Sequence, residues 1–438
     1  MSQTVLTSTD DARDTRPGGK TSADMMTGGW RMIFLLFALF LVSVFCQIDR
    51  ILPFILAEKI KTDLSLSDTQ IGLVTGIAFA VCYALLSLPL ARASDRGSPR
   101  LVLVSCILVW SAMTAIGGLA SSFLFLAATR FGVAIGEAGA IPSAHALIAR
   151  RIGAQRRGLA IGVFSMGIPI GTMAGFAIGG ALADSFGWRT ALVGAGATGV
   201  LIGLLAFVAA GPTPPERGAV ADREPFLRAS LRLLSSPGFR WLFAATVILG
   251  FAGAPFYAFA TPFLIREHGF STTEAGMTFG LLQGLMGIVG TMAGGRGFDR
   301  SVRSGRGQLL SPPGILFIIA GVTTTAALFV PGGGLAVALF VPGMLSFSFA
   351  LPWSFGTSHL VAGKGNEAMA SSLGLIGAGL LGPALGPLAV GMISDAATAA
   401  RMPNGLGLGL LIVPVASVLT GLTYLVANRR VAVALRQR

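Results

Sequence analysis

Two acids and two arginines stand well inside otherwise apolar stretches of this 438-residue sequence, and they are the residues best suited to do chemistry. Asp49 and Arg50 lie in the later part of one stretch, and Arg130 and Glu137 lie within another. If these stretches cross a bilayer, a charge at its centre costs about 2.5 to 3.5 kcal/mol. Residues kept at that cost are candidates for function, whereas the other acidic residues fall in polar connectors or tails.

The spacing of Arg130 and Glu137 predicts a shared helix face without direct contact. Seven positions correspond to nearly two turns, or about 10.5 Å along a helix axis. The arginine favours the ionised glutamate, while burial favours the neutral acid. A proton carrier needs such a balance, and Asp49 is a second acid that could share or relay the proton. A static ion-pair lock between the two stretches is the alternative interpretation.

Arg130 and Arg50 are candidates for binding an anionic headgroup. Arginine stays charged, and its planar fork of donors bonds phosphate or carboxylate groups bidentately. Arg50 could instead extend to the outer membrane interface, as long basic side chains do.

Motifs for other kinds of chemistry are absent from the sequence. It contains no Gly-x-x-x-x-Gly-Lys phosphate loop and no His-Glu-x-x-His zinc motif, and its three histidines are scattered. Cys46, Cys82 and Cys106 lie in apolar runs at spacings that match no metal site. We therefore expect neither an enzyme nor a metal or cofactor site.

Composition indicates the elements that must position the four charged residues. The chain is 53% hydrophobic and 12% charged, with a mean hydropathy of +0.77, whereas soluble domains are about a quarter charged. A membrane-spanning helix needs about 20 mainly apolar residues. Twelve stretches meet this need, at about 32–56, 71–91, 101–119, 123–149, 159–183, 191–210, 241–265, 275–298, 309–330, 335–360, 368–393 and 406–427.

The predicted fold class is therefore an all-α membrane protein with twelve transmembrane helices in two six-helix bundles. We expect a disordered tail over 1–29, an N-terminal bundle over 30–210, a linker over 211–239, a C-terminal bundle over 240–428 and a second tail over 429–438. The linker opens with three prolines and carries mixed charge. Pro169 in the first bundle, with Pro383 and Pro387 in the second, predicts kinks at related places.

Basic residues are distributed unevenly over the connectors. The tails and alternate connectors hold 25 Lys and Arg residues, the remaining connectors hold five, and Arg50 and Arg130 complete the total of 32. By the positive-inside rule both termini are predicted to be cytoplasmic, in a multi-pass protein of the inner membrane. The net charge of +13 is not clustered in one patch, so a nucleic-acid partner is not expected.

Two internal correspondences indicate duplicated halves. The loop ARASDRGSPR follows the second stretch and GRGFDRSVR follows the eighth, which places Asp95 and Asp299 204 positions apart. Asp184 and Asp395, after the fifth and eleventh stretches, are 211 apart. Parallel six-span repeats build one large class of transporters, with the substrate near the midplane between the halves.

The second half has almost no ionisable residue inside its apolar stretches. Its best candidates for polar cavity groups are Tyr257, Thr261, Gln283, Ser346, Ser348, Trp353 and Ser354. A site that is charged on one wall and apolar on the other suits an amphiphile.

The architecture and the paired Asp-Arg loops resemble the major facilitator superfamily over essentially the whole chain. Within that superfamily, several motifs look like those of the spinster-like lipid transporters. They are Asp49-Arg50, LSLSDTQIGLVTG from Leu64, the loop ARASDRGS, RFGVAIGEAG from Arg130 and RRGLAIGVFSMGIPIG from Arg156.

The resemblance implies transport of lysophospholipids or sphingosine phosphate, often coupled to protons, with roles for Asp49, Arg50, Arg130 and Glu137 at the cavity. It also implies an inner latch between the halves, formed by Asp95, Arg96, Asp299 and Arg300. Ala91 replaces the usual leading glycine of the latch motif, and Arg150 and Gln155 stand where relatives commonly have acids. The latch is therefore expected to be weaker or rewired.

We therefore expect a monomeric transporter in contact with membrane lipids that couples protons to an amphiphilic anion by alternating access. Asp49 and Glu137 would carry the proton, and Arg50 and Arg130 would bind the substrate. A drug or organic-anion transporter of the same superfamily is an alternative, as is a lipid scramblase without coupling.

Overall fold

A computed structural model describes residues 29–153, 156–212, 226–305, 308–363 and 367–436, and their regular secondary structure is helical. The N-terminal half contains eight helices, α1 Trp30–Ile55, α2 Ala57–Asp63, α3 Asp68–Thr75, α4 Ile77–Arg96, α5 Pro99–Gly117, α6 Phe123–Arg151, α7 Arg157–Ser165 and α8 Gly167–Ala210. The C-terminal half follows with α9 Phe226–Ser235, α10 Pro237–His268, α11 Thr272–Arg303, α12 Ser311–Ala327, α13 Gly333–Ala362, α14 Glu367–Gly379, α15 Leu381–Ala399, α16 Gly405–Leu410 and α17 Ile412–Arg436.

Twelve membrane crossings, as the sequence predicted, account for all of these helices except α2 and α9. Ten of the described segments are long and apolar enough to span a bilayer, and Ser311–Ala327 is a shorter apolar helix. The segment Arg157–Ala210 is 54 residues long and reverses direction at Gly187, so it supplies two crossings. Gly187 has φ 82° and ψ 159°, a backbone conformation that glycine adopts without the steric penalty of a Cβ.

Helix breaks divide the fifth and eleventh crossings at related places, which confirms the kinks predicted at Pro169 and Pro383, whereas Pro387 lies inside the continuous helix α15. α7 ends at Ser165, four residues before Pro169, and α14 ends at Gly379, four residues before Pro383. Proline has no N–H, so it cannot donate to the carbonyl group four residues earlier. The two prolines therefore end the helix at equivalent positions in the two halves.

Two segments are more helical than predicted. The predicted linker contains α9, and α17 continues through the predicted second tail to Arg436. α9 has apolar residues on one face and packs against α10 and α14. The predicted first tail lies outside the described residues except for Gly29.

The two halves pack against each other mainly at one end of the molecule. We call this the α2 end, and we call the opposite end, where α1 begins and α17 ends, the terminal end. At the α2 end α3 packs on α15 and α8 packs on α11, so closely that a Cβ on Gly72 would lie 2.4 Å from the Pro387 carbonyl oxygen. α7, which continues the fifth crossing towards the terminal end, packs mainly on α1, α6 and α8 of its own half. The central cavity is therefore closed at the α2 end.

Candidate functional site

A cavity of about 770 Å³ lies between the two halves, near the middle of the crossings. Both arginines singled out in the sequence line it. Its N-terminal wall consists of Gln47, Arg50, Ile51, Phe54, Thr75, Gly76, Phe79 and Arg130, and its C-terminal wall of Ala254, Tyr257, Pro383 and Pro387.

Helical geometry separates Asp49 from Arg50. Consecutive residues on a helix point about 100° apart, so the Asp49 side chain turns into the N-terminal bundle while Arg50 turns to the cavity. Asp49 is buried, whereas the Arg50 side chain is 26% exposed. Arg50 therefore lies at the cavity rather than extending to the membrane interface.

The four charged residues form ion pairs between α1 and α6. Arg50 Nε donates to Glu137 Oε2, and Arg130 Nη1 lies 3.9 Å from Asp49 Oδ2. The Thr114 hydroxyl on α5 donates to Asp49 Oδ1 at 2.6 Å. Each arginine thus pairs with the acid of the other helix, and Arg130 does not pair with Glu137.

Asp49 and Glu137 are both buried in this cluster, at 5% and 0% exposure. Asp49 Oδ2 and Glu137 Oε1 are buried and accept no hydrogen bond from the described residues. Two carboxylates can bond each other only when one of them carries a proton, because an ionised carboxylate accepts but cannot donate. A proton on either acid would relieve the repulsion between the two buried negative charges.

The arginines retain donors that the described residues do not use. Arg50 Nη2 and Arg130 Nε are buried and have no partner among these residues. With one proton on the carboxyl pair, two arginines and one carboxylate leave a net charge of about +1. The cluster is therefore suited to an anion that accepts hydrogen bonds from both guanidinium groups.

Two aromatic residues of α4 hold the arginines in place. The Arg50 guanidinium carbon lies 4.8 Å from the centre of the Tyr83 ring, and that of Arg130 lies 5.7 Å from the centre of the Phe79 ring. Phe79 and Tyr83 stack with centres 5.6 Å apart. Sequence reasoning missed these residues, although their spacing of four places them on one helix face beside the cavity.

A side chamber of about 360 Å³ extends from Arg50 among α1, α6, α7 and α8. It is lined by Val42, Ser43, Cys46, Gln47, Arg50, Ala140, Ile141, Phe164 and Ile168. Gln47 donates to the Thr172 hydroxyl at 3.1 Å between this chamber and the central cavity. The chamber provides space beside the Arg50–Glu137 pair on the side of the terminal end.

The C-terminal wall has one polar side chain among its described residues, the Tyr257 hydroxyl. The Tyr257 ring packs edge-on against that of Phe279, with the ring centres 6.3 Å apart. Ser346 and Ser354, also proposed from the sequence, bond within the C-terminal half instead, to Gly343 and Tyr424. A separate chamber of about 560 Å³ lies among α10, α13 and α14, lined mainly by Phe, Leu and Ala side chains.

The residues predicted to form an inner latch lie at the terminal end. Asp95 and Arg96 occupy the last turn of α4, but their side chains lie outside the described part of the chain. Asp299 and Arg300 are exposed near the end of α11. Arg150, one departure from the usual latch sequence, donates to the carbonyl groups of Gly97 and Ser94 at 3.0 and 3.2 Å, while Gln155 is outside the described residues.

Comparison with known sequences identifies related transporters. A model of the Major Facilitator Superfamily matches residues 33–387. An MFS-type efflux pump of Mycolicibacterium smegmatis is 36% identical over 402 residues, which cover 89% of this chain and 91% of that protein. A probable L-galactonate transporter of Escherichia coli is 26% identical over 389 residues, or 83% of each chain.

Comparison with solved structures gives the same architecture. A bacterial homologue of the human lysosomal transporter spinster, in an inward-facing and unoccupied conformation, has a TM-score of 0.77 and 27% identity, covering 93% of this chain and 98% of that one. Its occupied inward-facing structure has a TM-score of 0.77 and 28% identity, covering 94% and 98%. A nucleoside transporter with 13% identity and a TM-score of 0.73, covering 90% of this chain and 99% of that one, shares the fold alone.

Proposed function

The chain belongs to the major facilitator superfamily, and we propose that it couples protons to the movement of an amphiphilic anion by alternating access. The proposed substrates are lysophospholipids or lipids similar to sphingosine phosphate. The observation that carries the proposal is the cluster in which the buried acids Glu137 and Asp49 pair with Arg50 and Arg130, the two arginines that line the cavity and have unused donors.

Proton binding and anion binding would reinforce each other at Arg50. While Glu137 is ionised, it occupies Arg50 Nε. Protonation of Glu137 removes its charge and frees the guanidinium for an anionic headgroup. Conversely, an anion on Arg50 takes over the positive partner of Glu137, so the acid binds a proton more readily. Linkage requires these two effects to be equal in free energy, and the proposed transporter therefore carries the proton and the anion together.

The proposed orientation places the terminal end in the cytoplasm. Among the described residues, most basic residues near the helix ends belong to that end, as the positive-inside rule requires. The structure, closed at the α2 end, would then be an inward-facing state. The similarity to two inward-facing structures of a spinster homologue supports this orientation.

The C-terminal half supports an amphiphile rather than a small polar ion. Its cavity wall presents Ala254, Pro383 and Pro387 beside one hydroxyl, and its separate chamber of about 560 Å³ is mainly apolar. Burial of an acyl chain contributes about 0.8 kcal/mol for each CH₂ group. We propose that the headgroup binds the arginines and that the chain lies against the C-terminal half.

A transporter of drugs or small organic anions is the second candidate. Two relatives favour it, because the Mycolicibacterium protein is described as an efflux pump and the Escherichia protein as a probable L-galactonate transporter. A sugar acid could use the same arginines, but it would gain nothing from the apolar wall. Affinity that rises with chain length separates the two candidates.

The test is uptake into proteoliposomes with an imposed pH gradient. The panel comprises lysophosphatidylcholine, sphingosine phosphate, galactonate and ethidium, each with and without the gradient. The proposal expects gradient-driven movement of a lipid anion or zwitterion that stops when the gradient is collapsed by a protonophore. Gradient-driven movement of galactonate or ethidium alone would support the second candidate, and lipid movement that ignores the gradient would indicate a scramblase.

A further inference from the structure

The sequence repeat at Asp184 and Asp395 extends to a glycine four residues earlier in each half. Gly180 to Asp184 reads GALAD and Gly391 to Asp395 reads GMISD, so glycine and aspartate both recur 211 positions apart. Both segments lie at the α2 end, on α8 and α15. Each packs against the start of a helix that belongs to the opposite half.

In the first copy, Asp184 of the N-terminal half caps α11 of the C-terminal half. Asp184 Oδ2 accepts from the Thr273 backbone N–H at 2.6 Å and from the Thr273 hydroxyl at 2.7 Å. One turn earlier on α8, a Cβ on Gly180 would lie 2.5 Å from the Thr272 carbonyl oxygen. The glycine therefore allows the approach that brings the carboxylate to the helix start.

In the second copy, Asp395 of the C-terminal half caps α3 of the N-terminal half. Asp395 Oδ1 accepts from the Asp68 backbone N–H, and Oδ2 accepts from the Thr69 backbone N–H, both at 2.9 Å. A Cβ on Gly391 would lie 2.3 Å from the Asp68 carbonyl oxygen. The two copies thus use the same parts in the same order, with the roles of the halves exchanged.

Both recipient helices already have a capping box from their own half. Ser67 and Gln70 form one at α3, and Ser271 and Glu274 form the other at α11. A capping box leaves N–H groups of the first helical residues without a partner. The carboxylates from the opposite half bond these remaining donors and interact favourably with the positive end of the helix dipole. Such caps exist only while the α2 end is closed.

Arg266 adds a charged bridge across the same seam. From α10 it donates to Asp68 Oδ2 at 2.8 Å and to Glu58 Oε2 at 2.9 Å. Asp68 is almost fully buried and also accepts from the Ser394 hydroxyl at 2.6 Å. The Arg266 bridge and the two aspartate caps are polar bonds that water can replace when the halves separate, which favours reversible opening of the seam.

We propose that these two Gly-x-x-x-Asp segments and the helix starts that they cap form the outer seal of the transporter. The proposal rests on alternating access as the mode of transport but not on the substrate or the proton. Loss of either cap would shift the equilibrium towards the state open at the α2 end. Because both caps break in the same movement of the halves, weakening one also exposes the helix start held by the other.

Amide hydrogen exchange of the full-length protein in lipid nanodiscs tests the proposal directly. The readout is exchange in peptides that contain Thr69 and, separately, Thr273. We expect Asp395→Ala to raise exchange at both helix starts, including the Thr273 region that Asp395 does not touch, by roughly tenfold for one lost charge-assisted cap. Asp184→Ala should likewise raise exchange at both helix starts, including the Thr69 region that Asp184 does not touch. The Asp→Asn variants retain one acceptor and should give smaller increases in exchange.

Asp63→Asn is the matched control. Asp63 is a half-exposed acid at the same end, and it pairs with Arg189 within the N-terminal half. This variant should leave exchange at both helix starts unchanged. If each Asp→Ala change affects only its own recipient helix, the aspartates are local caps and the seal proposal is overturned. The measurement needs neither substrate nor pH gradient, so it stands or fails separately from the proposed lipid and proton coupling.

Discussion

At the scale of single residues, the central question is how two acids and two arginines share one cavity wall. Arg50 bonds Glu137, Arg130 lies 3.9 Å from Asp49, and both acids are buried. Removing one member of a buried ion pair leaves an uncompensated charge and costs about 3 to 5 kcal/mol. Substitutions that keep shape and polarity are therefore the informative ones.

Glu137→Gln should separate transport from proton coupling. Glutamine keeps the size and an acceptor for Arg50 but cannot bind or release a proton. We expect gradient-driven accumulation in proteoliposomes to fall at least about tenfold, while exchange of substrate across the membrane without a gradient continues. Thermal unfolding in detergent should remain cooperative. Accumulation at the rate of the unsubstituted protein would remove Glu137 from the proton pathway.

Arg50→Lys should weaken binding of anionic headgroups. Lysine keeps the positive charge beside Glu137 but loses the planar fork and its stacking against Tyr83. We expect KM for an anionic lysolipid to rise about tenfold, with little change for an uncharged alkyl glycoside that binds through its chain. Arg189→Lys, at the half-exposed pair with Asp63, is the control and should leave KM unchanged. Equal effects of both changes would assign Arg50 a structural role.

The sequence allowed these four charged residues to be chosen but not their pairing. Charges inside apolar stretches are conspicuous without a structure, and the helix period correctly kept Arg130 away from Glu137. The exchange of partners between α1 and α6 depends on how far one helix is shifted along the other. The sequence also did not reveal the roles of Thr114, Phe79 and Tyr83. A hydroxyl or an aromatic ring in an apolar stretch does not stand out in a sequence, because its role depends on neighbours that only the structure shows.

At the scale of helices, close approach is set by small residues and proline. The breaks before Pro169 and Pro383 were predictable, because proline lacks the N–H that would bond the carbonyl group four residues earlier. This loss of a helical hydrogen bond does not depend on the fold. The contacts of Gly72, Gly180 and Gly391 with backbone of the other half were not predictable, because glycine stripes also serve ordinary packing within a bundle. The extension of α17 to Arg436 was missed because the prediction took helical residues beyond the apolar core for a tail.

Gly391→Ala should open the α2 end more than any single loss of a cap. The added methyl group would meet the Asp68 carbonyl oxygen and the adjoining carbon at 2.3 and 2.5 Å, so the backbone of α3 or α15 must move. One spin label is placed on Ser121, in the connector between α5 and α6, and the other on Gly334, in the first turn of α13. The distance between these two labels should be longer in this variant. Gly162→Ala on α7, where the added atom meets nothing within 4 Å, should leave the distances unchanged.

At the scale of the whole molecule, twelve crossings in two related halves followed from composition and repeat. The sequence could not predict which end of the molecule is closed. Closure depends on contacts such as that of Asp68 with Asp395, which are separated by 327 positions. The structure combines a closed α2 end with a cavity whose charged lining residues, Arg50 and Arg130, both belong to the N-terminal half. The C-terminal half is therefore expected to respond to the substrate through shape and apolar contact rather than through charge.

Substrate binding should take up protons from solution if this division of roles is correct. An anion that binds Arg50 displaces Glu137 from its positive partner, and a buried carboxylate without that partner favours its neutral form. We expect up to about one proton to be absorbed for each anionic lysolipid bound by detergent-solubilised protein in weak buffer near neutral pH, followed with a pH indicator. An uncharged amphiphile of equal chain length should give no uptake, and Glu137→Gln should abolish it. Release of protons on binding would reverse the sign of the coupling and favour exchange of the anion against protons over joint transport.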